Sequence, residues 1–218
     1  MPRPRFEKLA PERREALIVA AGHSFARDGY SGASLNQIIT ECGLSKGAFY
    51  YYFDDKADLF VSVVRWAMKL VMRNFEHGFE PPDAEAFWQG LFELNASGFR
   101  WVQENRWVVE LSKELKNPPN DPALMKHLAP LLEEMNALLR RAIALGQRLG
   151  AVRDDLPQDL LLSLMLAIDH ASDTWIFARW DELGPEKLQA LSEKLLQMTR
   201  RMFEAPPSPT KQTEGERE

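Results

Sequence analysis

Apolar residues recur along this chain at intervals of three and four, and no stretch sustains the alternation that a half-buried strand requires. Leu17, Ala20, Ala21, Ser24 and Phe25 share one helical face, which predicts a helix from Pro11 to Asp28 stopped by a left-handed cap at Gly29. Leu35, Ile38, Ile39 and Cys42 repeat the spacing over a shorter span ended by Gly43. Ser34 with Gln37 reads as an S-x-x-Q capping box at its start. A third short helix is expected from Ser45 to about Phe53. Asp54 or Asp55 then caps a fourth, with Leu59, Phe60, Val63, Ala67, Leu70 and Val71 along one side, reaching about His77.

Prolines and glycines punctuate the remainder. Pro81-Pro82 precedes a helix capped by Asp83 and running to about Asn105, and a shorter one spans about Arg106 to Lys116. Asp121-Pro122 pairs a cap with proline at the first helical position. The segment that follows closes between Gly146 and Gly150, with Pro130 either kinking it or marking its true start. Pro157 opens an apolar helix to about Trp180, and Gly184-Pro185 separates it from a last helix ending near Phe203. The expectation is an all-α chain of three short helices and about six longer ones. It divides at residues 1–56, 57–204 and a polar, proline-containing tail, 205–218, expected to be disordered.

Two short helices joined at Gly43, behind a longer supporting helix, have the arrangement of a helix-turn-helix. On a helical wheel Lys46, Gly47, Tyr50 and Tyr51 form one arc, opposite Ala48, Phe49 and Tyr52. Glycine inside a helix costs ~1 kcal/mol relative to alanine, so close approach to another molecule would account for Gly47. Duplex DNA suits such an arc. Lys46 stands where the first turn of a helix reaches base edges or phosphate, and tyrosine hydroxyls suit phosphate oxygens. Ser34 opens the preceding helix with free N–H groups. Lys56 places a cation in a first helical turn, against the macrodipole, which a bound phosphate would explain. The structural alternatives are a plain helical corner, tyrosines with one wet edge, and a solvated Lys56.

Composition limits these readings little. Hydrophobic and charged fractions are those of a folded protein, and the net charge of −5 speaks against indiscriminate nucleic-acid binding. Residues 1–56 hold 8 Lys/Arg against 7 Asp/Glu, and the remainder 19 against 25, so the excess acid lies outside the first quarter. One cysteine, Cys42, forms no internal disulfide and suits a cytoplasmic compartment. The N-terminus lacks the apolar core of a secretory signal, and the run Leu160 to Ile168 is too short to span a bilayer.

Residues from about Pro11 to Arg65 resemble the DNA-binding domain of TetR-type transcriptional regulators. The resemblance is carried by Phe25, Gly29 and Tyr30, by Gly43-Leu44-Ser45-Lys46-Gly47, by Phe49-Tyr50-Tyr51-Tyr52-Phe53 and by Lys56-Ala57-Asp58-Leu59-Phe60. It implies DNA contacts at Ser34, Ser45, Lys46, Gly47, Tyr50, Tyr51 and Lys56. Tyr52 stands where members often have histidine, so either core packing or a further phosphate contact is open to it. The resemblance also implies a homodimer on a palindromic operator and a C-terminal domain that takes a small-molecule effector. The fourth helix, which links both domains, is then the expected lever.

Past Arg65 the pattern gives architecture and candidates. Trp66, Phe92, Phe99, Trp107 and Trp175 are either ordinary core or the walls of an apolar cavity, with Met135 and Met165 as adaptable wall. Asp169, His170 and Asp173 interrupt an apolar helix, where they either orient a ligand or pair across a dimer. Leu161, Leu164, Ile168 and Ile176 on that helix, with Leu188, Leu191, Leu195 and Met198 on the last one, are the expected dimer surface. The last-helix seam, which continues to Met202, otherwise packs within its own subunit. No zinc spacing, di-iron carboxylate motif, phosphate loop or nucleophile elbow occurs, so no cofactor, metal or enzymatic activity is expected. The reading is a ligand-responsive repressor with no membrane partner. The alternative is a helical adaptor that meets a protein or lipid.

Overall fold

The computed structural model describes residues 4–76, 79–116 and 118–206, the side chains of 71–76 excepted. The described residues form ten helices: α1 (Pro4–Glu7), α2 (Pro11–Gly32), α3 (Leu35–Glu41), α4 (Lys46–Tyr52), α5 (Lys56–Glu76), α6 (Ala84–Glu104), α7 (Trp107–Lys116), α8 (Pro122–Arg148), α9 (Gln158–Ala178) and α10 (Trp180–Phe203). The helix beyond the expected nine is α1, a single turn held by Phe6, which is buried. The tail expected to be disordered lies outside the described residues beyond Pro206.

Local chemistry sets most boundaries. Gly29, Gly150 and Gly184 take positive φ where α2 bends, after α8 ends and where α10 bends. Gly184 therefore breaks α10 after its first turn, where the last helix is expected to begin, and α9 ends earlier, at Ala178. Pro130 lies inside α8, which begins at Pro122 with Asp121 accepting from the backbone N–H groups of Ala123 and Leu124. Asp83 caps α6 through Ala86 N, and Asp55 accepts from Asp58 N at the start of α5. The capping box expected at Ser34 does not close. The Ser34 side chain makes no cap bond, and Gln37 Nε2 donates instead to Glu41 at 2.9 Å.

One apolar core runs from α1 through α5 and on to α7 and α8. It includes Phe25, Phe49, Phe53 and Phe60, then Trp107, Leu111, Leu124 and Leu128. Gly22 lets α2 and α7 approach, since a Cβ there would stand 2.5 Å from the Trp107 ring. Tyr30 Oη donates to Asp121 at 3.0 Å, joining the end of α2 to the start of α8. Arg65 on α5 pairs with Glu134 on α8. Cys42 lies against this core with Sγ 3.6 Å from Leu17 O, and burial pushes its thiol up to about 11.

A second core joins α6, α8, α9 and α10 around Phe87, Trp88, Ile143, Leu161, Leu162 and Phe203. A single antiparallel bridge, Val152 to Glu204, fastens the α8–α9 loop to the end of α10. Extended beyond the apolar run read from sequence, α9 is 21 residues long. It is long and apolar enough, by length and composition, to cross a membrane. Its inner face instead lines the bundle, and it carries Asp159, Asp169 and Asp173. Leu160, Leu164, Ala167, Ala171 and Trp175 form an exposed outer stripe.

Candidate DNA-binding face and effector cavity

The turn between α3 and α4 is closed by backbone bonds. Gly43, at φ +64, donates to Thr40 O at 3.0 Å, and Leu44 N donates to Ile39 O at 2.9 Å. This geometry turns the chain sharply into Ser45, whose hydroxyl accepts from Ala48 N at 3.1 Å and so caps α4. Phe49 and Phe53 anchor the inner side of α4 and are buried, with ring centroids 5.5 Å apart. Burial of those two rings fixes the rotation of the helix. Lys46 and Gly47 are consequently exposed, as are Tyr50 and Tyr51 at 40% and 46%. A Cβ on Gly47 would meet only Ser45 Oγ, at 4.0 Å. The chain's own packing does not require glycine there.

Behind this face α3 is fastened to α2 by Glu41. Ser24 Oγ donates to its carboxylate, as do Gln37 and Arg27, and these bonds hold Glu41 below the usual carboxylate range. Ser34 is exposed at the first turn of α3. Lys56 differs from its neighbours on the face. Its Nζ donates to Tyr30 O at 2.7 Å and Ala33 O at 3.1 Å, and lies 4.7 Å from the centre of the Tyr30 ring. Two of its three ammonium donors are thus spent on the carbonyls that end α2. Tyr52 is half-buried and packs edge-on to Phe6 at 6.0 Å.

The C-terminal helices enclose a cavity of about 480 Å³ among α6, α8, α9 and α10. Its wall is mainly apolar, with Leu91, Phe99, Leu139, Met165, Ile168 and Phe177 among the lining residues. Asn95, Asp169, Ser172, Asp173, Ser192 and Thr199 add the polar positions. Asn95 accepts from Ser192 at 2.9 Å across α6 and α10. Lys116, at the end of α7, bonds Asp169 at 3.2 Å and Asp173 at 2.9 Å. Burial, and next the charge of Asp169, raise the Asp173 carboxyl above its ordinary value despite that ammonium.

Of the residues expected around a cavity, Phe99, Met165 and Asp169 line it. Trp66 and Trp107 do not. They stack at 6.2 Å in the core that joins α5 to α7, where Trp101 meets both rings edge-on. Phe92 packs against the second core outside the lining, Met135 is also outside it, and Trp175 points outward under Arg179 at 4.5 Å. Sequence periodicity missed the contributions of Phe87, Ile143 and Phe177, which look like any other core residue.

The expected dimer surface also needs correction. Leu161, Ile176 and Leu188 are buried within their own chain, so they have no surface left to offer a partner. Ile168, Leu191 and Leu195 are half-buried, and Ile168 and Leu195 line the cavity. Leu164 and Met198 are exposed, together with Leu160, Trp175 and Met202.

Residues 17–63, spanning most of α2 through the first part of α5, match the family model of bacterial regulatory proteins, tetR family. The HTH-type transcriptional repressor AcnR of Corynebacterium diphtheriae is 27% identical over 154 residues, covering 68% of this chain and 73% of that protein. The HTH-type transcriptional repressor Rv1474c of Mycobacterium tuberculosis is 26% identical over 164 residues, covering 74% of this chain and 80% of that one. The fold is similar to that of the transcriptional regulator FadR from Bacillus subtilis, solved in complex with stearoyl-CoA. There the TM-score is 0.69 at 19% identity, over 85% of this chain and 96% of that one. These relatives are named as transcriptional repressors or regulators. The family match lies on the helix-turn-helix that carries the exposed arc of α4, so residues 17–63 have the sequence and the fold of a TetR-type DNA-binding domain.

Proposed function

We propose that this protein is an effector-responsive repressor that binds an inverted-repeat operator as a homodimer, with residues 1–56 reading DNA and 57–204 holding the effector and the dimer contact. One observation carries the reading. The only arc of α4 not committed to the core bears Lys46, Gly47, Tyr50 and Tyr51, and it follows directly on the capped turn at Ser45. A helix entering the major groove contacts base edges with its N-terminal residues, which assigns Lys46 to the bases and the two tyrosines to the flanking phosphates. Ser34 and Ser45 supply hydroxyl donors at the starts of α3 and α4. Lys56 sets the turn ahead of Ser34, and its third donor is what remains for a phosphate.

The exposed stripe Leu160, Leu164 and Trp175, with Met198 and Met202, favours a second copy as the cover of α9 and α10. Repression is favoured by the names of the two relatives. The cavity lies within the range of about 300–1,000 Å³ typical of small-molecule sites, and its apolar wall with a polar group of aspartates suits an amphipathic effector. A fold neighbour that binds stearoyl-CoA points the same way. An effector acts only by its differential affinity for the DNA-competent and DNA-incompetent arrangements.

The test begins with duplexes selected from random DNA by the full chain. Enrichment of an inverted repeat is expected, with affinity lost in Lys46→Gln and reduced in Tyr50→Phe. Palmitoyl-CoA and palmitate, added at rising concentration, should raise Tm and release the selected duplex. Failure to enrich any repeat would defeat the repressor reading. A repeat bound but never released by an apolar ligand would defeat the effector reading alone.

A further inference from the structure

The DNA-facing arc is poor in positive charge. Among Ser34, Ser45, Lys46, Gly47, Tyr50, Tyr51 and Lys56 only two residues are cations, and Lys56 spends two of its donors on Tyr30 O and Ala33 O. Lys46 is left as the one uncommitted ammonium. Duplex binding draws most of its affinity from neutralising phosphates, so a face with so little charge needs help from elsewhere in the chain.

The turn α1 supplies it. Phe6 is 3% exposed and wedges against Phe53 at 4.8 Å and Tyr52 at 6.0 Å, which pins this turn to the underside of α4. Arg14 on α2 bonds the Glu7 carboxylate at 2.7 Å and ties down the other end. Immediately before these anchors Arg5 lies with its guanidinium carbon 4.4 Å from the centre of the exposed Tyr51 ring. Arg5 is itself exposed, and no carboxylate among the described residues pairs with it.

Stacking uses the flat face of a guanidinium. Its five N–H donors lie in the plane and point outward past the ring, in the fork that fits a phosphate. Tyr51 stands at the C-terminal end of α4, away from the first turn that reaches the bases, so a group stacked on it meets the sugar-phosphate backbone. We infer that Arg5, carried on α1, is a further phosphate contact and that Tyr51 is the platform that orients it. The inference rests on the reading of α4 as the groove-facing helix.

The experiment measures operator binding by the full chain, on a duplex selected from random DNA, by fluorescence anisotropy between about 50 and 200 mM KCl. Arg5→Gln should weaken binding and reduce the slope of log K against log salt by about 0.9 for each half-site occupied. Arg5→Lys, which keeps the charge and loses the fork, should retain the wild-type slope. An Arg5→Gln variant with unchanged slope overturns the inference, and this includes the case in which affinity falls, because Arg5 would then merely prop Tyr51. Lys46→Gln, measured beside it, separates the two levels. If Lys46→Gln loses affinity for the selected repeat and Arg5→Gln keeps the wild-type slope, only the role of Arg5 fails. If Lys46→Gln binds the repeat as tightly as wild type, the reading of α4 fails as well.

Discussion

Replacing Lys56 by methionine removes an ammonium and keeps most of its apolar stem. The ammonium donates to Tyr30 O and Ala33 O at 2.7 and 3.1 Å, while Ser31 O at 3.5 Å is too far to count. Hydrogen bonds from charged groups contribute about 1.5–3 kcal/mol each, and partial exposure of Lys56 argues for the lower end. The carbonyls belong to the single turn that follows the Gly29 break in α2, so they carry little helix dipole, and at the start of α5 the cation loses about 0.3–1 kcal/mol. Stacking over Tyr30 adds about 0.5–1 kcal/mol. Two carbonyls left without a donor, less whatever water restores, bring the expected loss to about 2–3 kcal/mol. With a urea dependence near 2 kcal/mol per molar, the unfolding midpoint should fall by about 1–1.5 M. Circular dichroism and tryptophan fluorescence should report one coincident transition. Tyr50→Phe, on the exposed arc, should leave the midpoint in place. A Lys56→Met protein with the wild-type midpoint and lost operator binding would refute the capping argument and return Lys56 to a purely phosphate-binding role.

Four shorter expectations follow. Gly22→Ala gains ~1 kcal/mol of helix propensity, but its methyl would press on a Trp107 ring that is buried and stacked on Trp66. Overpacking of about 1–3 kcal/mol should win, and a midpoint equal to or above wild type would contradict the close approach of α2 and α7. The carboxyls of Glu41 and Asp121 are depressed in the folded state, Glu41 first by the Ser24 hydroxyl and Asp121 first by Leu124 N–H. Their contribution is present above the ordinary values of 4.5 and 3.8 and is lost as pH falls through the lower folded-state values, so urea midpoints should fall modestly below about pH 4. Midpoints that stay flat there would show that these bonds contribute nothing to stability. Leu164→Glu with Met198→Glu should convert a dimer in sedimentation analysis to a folded monomer, and an unaltered dimer would move the interface elsewhere. Lys116→Met should leave operator affinity without ligand near wild type while reducing the release caused by a cavity ligand, and undiminished release would exclude the α7 connection.

The exposed arc of α4 was legible because it depends on local facts. A seven-residue helix capped by Ser45 and anchored by Phe49 and Phe53 has only one rotation that buries both rings, and that rotation exposes Lys46, Gly47, Tyr50 and Tyr51. The turn α1 was not legible, since four residues carry no period and Phe6 finds its partners only in the folded chain. The cavity was half legible for a related reason. A tryptophan on an apolar face reads the same whether it meets a void, as Trp180 does, or a packed neighbour helix, as Trp66 does. The α10 seam fails geometrically. At 3.6 residues per turn Leu188 and Met198 lie about 80° apart around the helix, enough to put one in the core and the other outside. The carbonyl partners of Lys56 lie more than twenty residues away in sequence, beyond any periodicity.

Helix α7 is a second link between the two halves, beside α5. Helix α5 joins them covalently, but its ion pair with Glu134 and its share of the first core bind it to α8 along with α2. Helix α7 packs along α2 from Trp107 to Glu114 and also reaches α9 through its last residue, Lys116. At its C-terminus Lys116 is held between Asp169 and Asp173, both of which line the cavity. At its N-terminus Trp107 fills the notch left by Gly22 on α2, the helix that supports α3 through the Ser24 and Arg27 bonds to Glu41. A ligand that takes one of the two aspartates from Lys116 therefore acts on a rigid element whose far end is wedged against the DNA-binding head. Close-packed contacts of this kind switch between discrete arrangements and do not deform smoothly. The size of the response is then bounded by the difference in ligand affinity between the two seats of α7, whatever the total affinity of the cavity for its occupant.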